Sequence, residues 1–276
     1  MDDQQKSPPQ PAQAAQAKAR IEAVKRGFEQ KRNINQKLEK IAYKIGVYSG
    51  KGGVGKTTVA VNLASYLAKL NHSVGILDVD IDCPNVTKAM GMTERATIQN
   101  GTVIPGQQYG VKVVSMSFFQ KSEDEAIIWR GPMVHNAINQ FLQMTDWGEL
   151  EYLIVDLPPG TSDAPLTVMQ TMSLDGFVVV TTPHFLAALD AKRSINMIRK
   201  LKVNVLGIVE NFVGDVFGKG AGETLAKELD LPFLGGIELR ADYKMVDIPP
   251  VLRVSGVERE YETIVAAIKK LIDVKS

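Results

Sequence analysis

A doubly wound α/β domain with a mostly parallel sheet is the fold this sequence predicts, on three observations. Short apolar, β-branched runs alternate with helix-forming stretches along most of the chain. A glycine-rich turn of the pattern G-x-x-x-x-G-K-[ST] stands between the first such run and the helical stretch that follows it. The 276 residues, 45% of them hydrophobic, are enough to bury a core on both faces of such a sheet.

Taken in order, residues 1–17 are rich in Pro, Gln and Ala with little to bury, and are expected to form a disordered tail. Residues 18–41 read as a basic helical arm, where Lys18, Arg20, Lys25, Arg26, Lys31, Arg32, Lys37 and Lys40 outnumber Glu22, Glu29 and Glu39. Ile21, Val24 and Phe28 fall at helical spacing, and Ile34, Leu38 and Ile41 form a second, offset set. Such an arm is either a solvated segment docking on its own domain or a basic amphipathic helix for a membrane surface or partner.

Residues 42–276 read as one nucleotide-binding type of α/β domain. Strands are expected at 44–48, 74–77, 112–114, 152–155, 176–181, 203–209 and 232–237, with helices at 57–70, 134–144, 186–200 and 222–229. Strands separated by helices pair in parallel through crossovers, which covers both faces of the sheet. A closing helix over 259–273 sets Ile264, Ile268, Leu271 and Ile272 on one side as core packing.

Composition narrows the function. Thirty-two basic and 31 acidic side chains leave a net charge of +1, so no global field advertises nucleic acid or an anionic membrane. A single cysteine, Cys83, excludes an intramolecular disulfide framework and a closed zinc site of its own. The first residues are polar and acidic, unlike a signal peptide, and no 18 apolar residues follow one another. A soluble, cytoplasmic protein is the expectation.

The chemistry concentrates at Ser49-Gly50-Lys51-Gly52-Gly53-Val54-Gly55-Lys56-Thr57-Thr58, which fits the P-loop pattern with an apolar strand before it and a helix after it. Glycines let consecutive N–H groups turn inward on phosphate oxygens, and the helix opening at Lys56 adds its positive end. Lys56 is expected to reach the β and γ phosphates of ATP, and the Thr57 hydroxyl to ligate Mg²⁺. Lys51 lies inside the loop, where it could neutralise phosphate on its own subunit or on a second one.

Two further segments supply carboxylates. Leu153-Ile154-Val155-Asp156 is an apolar strand ending in an acid, the position from which a P-loop protein holds Mg²⁺. Leu77-Asp78-Val79-Asp80-Ile81-Asp82 ends another strand with three alternating acids, which extended geometry puts on one side; Asp82 is the one expected to be a solvated loop charge. His72, His135 and His184 lack metal spacing, and only His184 lies near a plausible ligand crevice.

With these motifs assembled, Ser49–Thr58 with Lys51 resembles the deviant Walker A of the ParA/MinD-type ATPases. Within that class the chain resembles the Mrp/ApbC family of iron–sulfur cluster carriers. The segments that carry the likeness are Asp78-Val79-Asp80-Ile81 with Pro84, Trp129-Arg130-Gly131-Pro132-Met133, Trp147-Gly148, Asp156-Leu157-Pro158-Pro159-Gly160-Thr161-Ser162-Asp163, Val180-Thr181-Thr182-Pro183, Leu206-Gly207-Ile208-Val209-Glu210-Asn211 and Pro232-Phe233-Leu234-Gly235. The resemblance implies a slow, Mg-dependent ATPase working as a homodimer that passes clusters to apo iron–sulfur proteins. It implies Lys51 acting across the dimer, Asp80 positioning the attacking water, Asp78 and Asp156 supporting Mg²⁺, and Asn211 reading adenine through its amide. An amide suits adenine's donor and acceptor edge, although a structural residue at a strand end is the other reading of Asn211.

One departure stands out. The carriers have a Cys-x-x-Cys shortly after the segment matching Glu210-Asn211, whereas this chain reads Phe212-Val213-Gly214-Asp215-Val216-Phe217-Gly218. An iron–sulfur cluster usually takes four thiolates, and two copies of this chain offer two, both Cys83. Cys83 is expected to be a small buried thiol and only a weak cluster ligand. The alternatives kept are a ParA/MinD-like positioning ATPase and an ATP-switched adapter without a cluster.

Overall fold

Apolar runs with residues on both sides of the pleat fold as buried strands, and the amphipathic stretches between them cover the resulting sheet. The computed structural model describes residues 11–119, 131–245 and 247–273. In chain order its elements are α1 (Pro11–Leu38), β1 (Ile41–Tyr48), α2 (Lys56–Lys69), β2 (Val74–Asp78), the one-turn α3 (Val86–Ala89), β3 (Thr97–Gln99), β4 (Thr102–Ile104), β5 (Gly106–Gln108), β6 (Val111–Ser115) and α4 (Gly131–Met144). They continue with β7 (Leu150–Asp156), α5 (Asp163–Thr171), β8 (Gly176–Thr181), α6 (Phe185–Lys200), β9 (Val205–Val213), α7 (Ala221–Glu228), β10 (Phe233–Glu238) and α8 (Ser255–Asp273).

Eight strands form one sheet in the order β10-β9-β8-β1-β7-β2-β6-β5, parallel throughout except for β5, which pairs antiparallel with β6. The expected mostly parallel, doubly wound α/β fold is therefore present. β1 lies between β7 and β8, so the chain leaves it where the winding reverses, the crevice in which such sheets bind ligands. β3 and β4 form a separate antiparallel hairpin.

Side-chain alternation splits the core into two layers. Ile45 and Val47 of β1, Tyr152 and Ile154 of β7, and Val178 and Val180 of β8 pack with α2 and α8. Tyr48, Leu153, Val155, Phe177 and Val179 point the other way, toward α1, α4, α5 and α6. The closing helix α8 starts at Ser255, ahead of its expected start at 259, and puts Val257, Tyr261, Ile264, Val265, Ile268 and Ile272 into the first layer. Of the four residues its spacing predicted, Ile264, Ile268 and Ile272 are buried and Leu271 is partly buried against them.

Several boundaries differ from the sequence expectation for physical reasons. α1 starts at Pro11, not after residue 17, because Pro is tolerated in a first turn and Ala and Gln are good helix formers. Residues 1–10 of the expected tail, and Trp129 and Arg130, lie outside the described residues. β9 runs on to Val213, four residues past the expected end, because its polar residues Glu210 and Asn211 are buried and hydrogen-bonded.

The arm divides in two. Ile34 and Leu38 are 0% and 1% exposed and pack with α4 and α5 in the second layer. Asn35 adds a hydrogen bond from its amide to the Thr171 carbonyl (3.0 Å) and accepts one from the Ser173 N–H (3.0 Å). Ile21, Val24 and Phe28 are 56%, 58% and 71% exposed. The end of the arm is thus domain core, and its beginning is not. Leu38→Ala should lower stability by about 2–4 kcal/mol in urea unfolding, whereas Phe28→Ala should change it by less than about 0.5 kcal/mol.

Candidate nucleotide site

At the carboxyl end of β1 the chain turns through Ser49–Gly55 into α2, and the turn is possible only with glycine at its tightest points. A Cβ at Gly50 would run into the backbone of Asp190 on α6. Gly55 caps α2 at φ +80°, a left-handed conformation, with no side chain hydrogen-bonded to the first-turn N–H groups. Those N–H groups and the helix's positive end therefore face the cavity above the loop.

That cavity measures about 490 Å³ and is lined by Lys51, Gly52, Gly53, Gly55, Lys56, Thr57 and Thr58, with Asp80, Asp82, Cys83, Pro158 and Pro159 across from them. Beneath it lies a polar triangle. Lys56 Nζ is 2.6 Å from Asp156 Oδ1, and the Thr57 hydroxyl donates to Asp156 Oδ2 at 2.7 Å. Asp156 is fully buried and Lys56 is 6% exposed. The three residues expected to serve a bound Mg·ATP are thus in contact with one another.

Asp78 is level with Asp156 on the adjacent strand, but it does not line the cavity. Its Oδ1 accepts the Asp80 N–H (3.1 Å), and its Oδ2 accepts the Val86 N–H (3.2 Å) and the Ser115 hydroxyl (2.9 Å). Burial, and then the neighbouring Asp156 carboxylate, push its pKa well above the usual carboxylate range. The geometry departs from the expectation that Asp78 supports magnesium: its lone pairs brace the loop after β2. Asp80 does reach the cavity, and burial raises its pKa against the pull of Lys56. Its Oδ1 accepts the Cys83 N–H at 3.1 Å.

The expected row of three acids on one side is not formed, because β2 ends at Asp78 and the chain bends afterwards. Asp78 turns inward, Asp80 joins the cavity wall and Asp82 stands exposed at the rim, as expected for a solvated charge. The same bend corrects the reading of Cys83, which is exposed at the rim and not buried.

Asn211 is also corrected toward its structural alternative. It is 2% exposed within β9, and its amide donates to the Val54 carbonyl of the loop at 2.9 Å, pinning the loop from below. The following Phe212 sits at φ +62° and sets its ring against Gly55. Sequence reasoning missed Tyr48, whose hydroxyl donates to the Gly160 carbonyl, while the Gly160 N–H donates to Ser49 (3.0 Å). An aromatic immediately before the glycine motif was the available signal. Ser115 carried none, since it meets Asp78 only through strand pairing.

The histidines are not ligands of this cavity. His184 caps α6 by accepting the Leu186 N–H (3.2 Å), His72 contacts Glu151 and Lys269, and His135 contacts Thr167 and Asn139. Among the described residues no cluster of three or more His, Cys, Asp or Glu could hold a metal ion. None of the described helices is long and apolar enough to cross a membrane.

The residues fit a magnesium-bound nucleoside triphosphate: open glycines, inward donors, a buried ammonium, and a hydroxyl and carboxylate suited to a hard cation. Comparison with known proteins agrees. A family model described as "ParA: NUBPL iron-transfer P-loop NTPase" matches residues 40–271. An iron–sulfur cluster carrier protein of Methanococcus maripaludis is 42% identical over 224 residues, 76% of this chain and 78% of that protein. One from Methanocaldococcus jannaschii is 40% identical over 263 residues, 90% of this chain and 91% of that protein. A solved nucleotide-binding protein of Archaeoglobus fulgidus in complex with ADP, in which cobalt was found, matches with a TM-score of 0.70 at 36% identity, covering 81% of this chain and 93% of that one.

Replacing Lys56 removes the partner of a buried carboxylate and a cation from the wall of the cavity. Lys56→Ala should abolish the heat of mixing with Mg·ATP in calorimetry and lower stability by about 3–5 kcal/mol.

Proposed function

Because the chain belongs to the ParA-type family of iron-transfer P-loop NTPases, we propose that it binds and slowly hydrolyses Mg·ATP as a homodimer and uses that cycle in delivering iron–sulfur clusters to apoproteins. The observation that carries the nucleotide part is the Lys56–Thr57–Asp156 triangle under an open glycine cradle at the sheet's central strand.

Each residue then has a definite task. The loop N–H groups from Gly50 to Gly55 and the amino end of α2 hold phosphate oxygens. Lys56 turns from Asp156 to the β and γ phosphates, and Asp156 and the Thr57 hydroxyl are the groups that would then hold magnesium, which would supply neutralisation of phosphate charge. Asp80 orients the attacking water, and its raised pKa suits a group that takes up a proton. Lys51 lines the cavity with no hydrogen bond or ion pair from its ammonium among the described residues, which leaves that charge available to phosphate, in this reading the phosphates of a second copy. Asn211 keeps the loop in register through Val54.

The cargo is less well provided for. The Phe212–Gly218 stretch closes as a tight turn, Gly214 and Gly218 bonding each other in both directions (3.1 and 2.7 Å), and Val216 and Phe217 stand exposed where thiolates would be needed. Cys83 at the cavity rim is the chain's one thiol. This favours a second reading, in which the same ATP cycle drives an adapter that carries no cluster itself.

Protein purified without oxygen should contain iron and acid-labile sulfide and pass a reconstituted cluster to an apo-acceptor, with the cluster lost in Cys83→Ser; absence of both iron and transfer selects the adapter. Lys51→Ala should keep ATP binding but lose ATP-dependent dimerisation in light scattering, with turnover down about 10²–10³-fold. Asp80→Asn should bind ATP and dimerise yet hydrolyse at least about 10²-fold more slowly.

A further inference from the structure

The beginning of α1 is an unused surface of definite chemistry. On a 3.6-residue turn Ile21, Val24 and Phe28 share one stripe, and all three are more than half exposed. Arg20 and Lys31 run along one flank of that stripe and Lys25 and Arg32 along the other, all exposed, while Glu22 and Glu29 stand farther round the helix. Over residues 20–38 six cations face two anions, whereas the whole chain is only +1, so the rest of the molecule is net negative. The other end of the helix is fixed to the domain by Ile34, Leu38, Asn35 and the hydrogen bond from Lys37 to the Gln143 carbonyl.

We propose that this stripe of α1 docks on an anionic lipid surface, with Ile21, Val24 and Phe28 entering the headgroup boundary and the flanking Arg and Lys side chains engaging lipid phosphates. An apolar stripe flanked on both sides by long cationic side chains is the pattern of a helix lying in an interface, its charges snorkelling to the headgroups. The asymmetry of charge turns the arm toward such a surface and the body of the domain away from it.

Other occupants fit less well. A second copy would need a seam of three or four heptads, but the stripe spans two turns and continues into Lys31 and Asn35. Nucleic acid would take up the cations and leave the apolar stripe in water. The closing helix cannot serve instead, since its apolar face is buried in the core. The inference does not rest on the nucleotide cycle or on cluster carriage.

The test is co-sedimentation of the full-length chain with vesicles of phosphatidylglycerol in phosphatidylcholine, with pure phosphatidylcholine vesicles and duplex DNA in parallel. Pelleting is expected with the anionic vesicles alone, falling as salt is raised. A cation near such a surface is worth about five-fold in partitioning, so Lys25→Gln with Lys31→Gln and Arg32→Gln should bind on the order of a hundred-fold less. Val24→Ser with Phe28→Ser should also lose binding, while both variants keep the wild-type urea midpoint and ATP affinity because the residues are exposed. No pelleting with anionic vesicles, equal pelleting of the variants, binding to DNA without binding to vesicles, or arm-dependent self-association without lipid would each overturn the proposal.

Discussion

Lys56 and Asp156 meet 2.6 Å apart where almost no water reaches them, and either charge would be costly to bury alone. Much of the site follows from meeting that requirement. Lys56 must open α2 directly after a left-handed glycine, so the helix starts under the loop, with its free N–H groups turned to the cavity. Asp156 must end β7 beside β1, which the parallel register provides by pairing it with Val47. The Thr57 hydroxyl takes the carboxylate's second oxygen. The folded state thus already holds a desolvated cation beneath the glycine loop.

Around this pair each connecting segment is tied to the next by a buried polar contact. Tyr48 and Ser49 hold the turn after β7 through Gly160, and Asn211 holds the loop from β9 through Val54. Asp78 gathers Asp80, Val86 and Ser115, so an acid that does not line the cavity fixes the segment that carries one that does. Glu210 plays a similar part for α7, accepting the Gly220 and Gly222 N–H groups at its amino end. Both oxygens of Asp78 and of Glu210 are hydrogen-bonded, which is what allows acidic residues to remain under a sheet.

Much of this was legible before the fold was known. The β-branched runs announced the long strands, and the spacing of glycines, lysine and threonine placed the cavity. What was hidden depended on distant partners. β3, β4 and β5 are three residues long and owe their form to neighbours rather than to pattern, and the nine-residue α5 lies in a stretch with Pro165 in its first turn. Alternation was extended past Asp78 into a bend, which missed the inward turn of Asp78 itself, and Cys83, read as buried because free cysteines usually are, lies exposed beyond that bend. The role of Asn211 turned on a carbonyl 157 positions away, beyond any local reading.

α1 is joined to β1 by only Glu39 and Lys40, and β1 is bonded along both edges to β7 and β8. A pull along the helix therefore loads two ladders lengthwise, so that their bonds must yield together in shear instead of unzipping one by one. The strand that leads into the glycine loop is in this way held along both of its edges. Whatever the arm is tethered to, tension on it ends in the middle of the molecule without prying open the turn at the strand's far end.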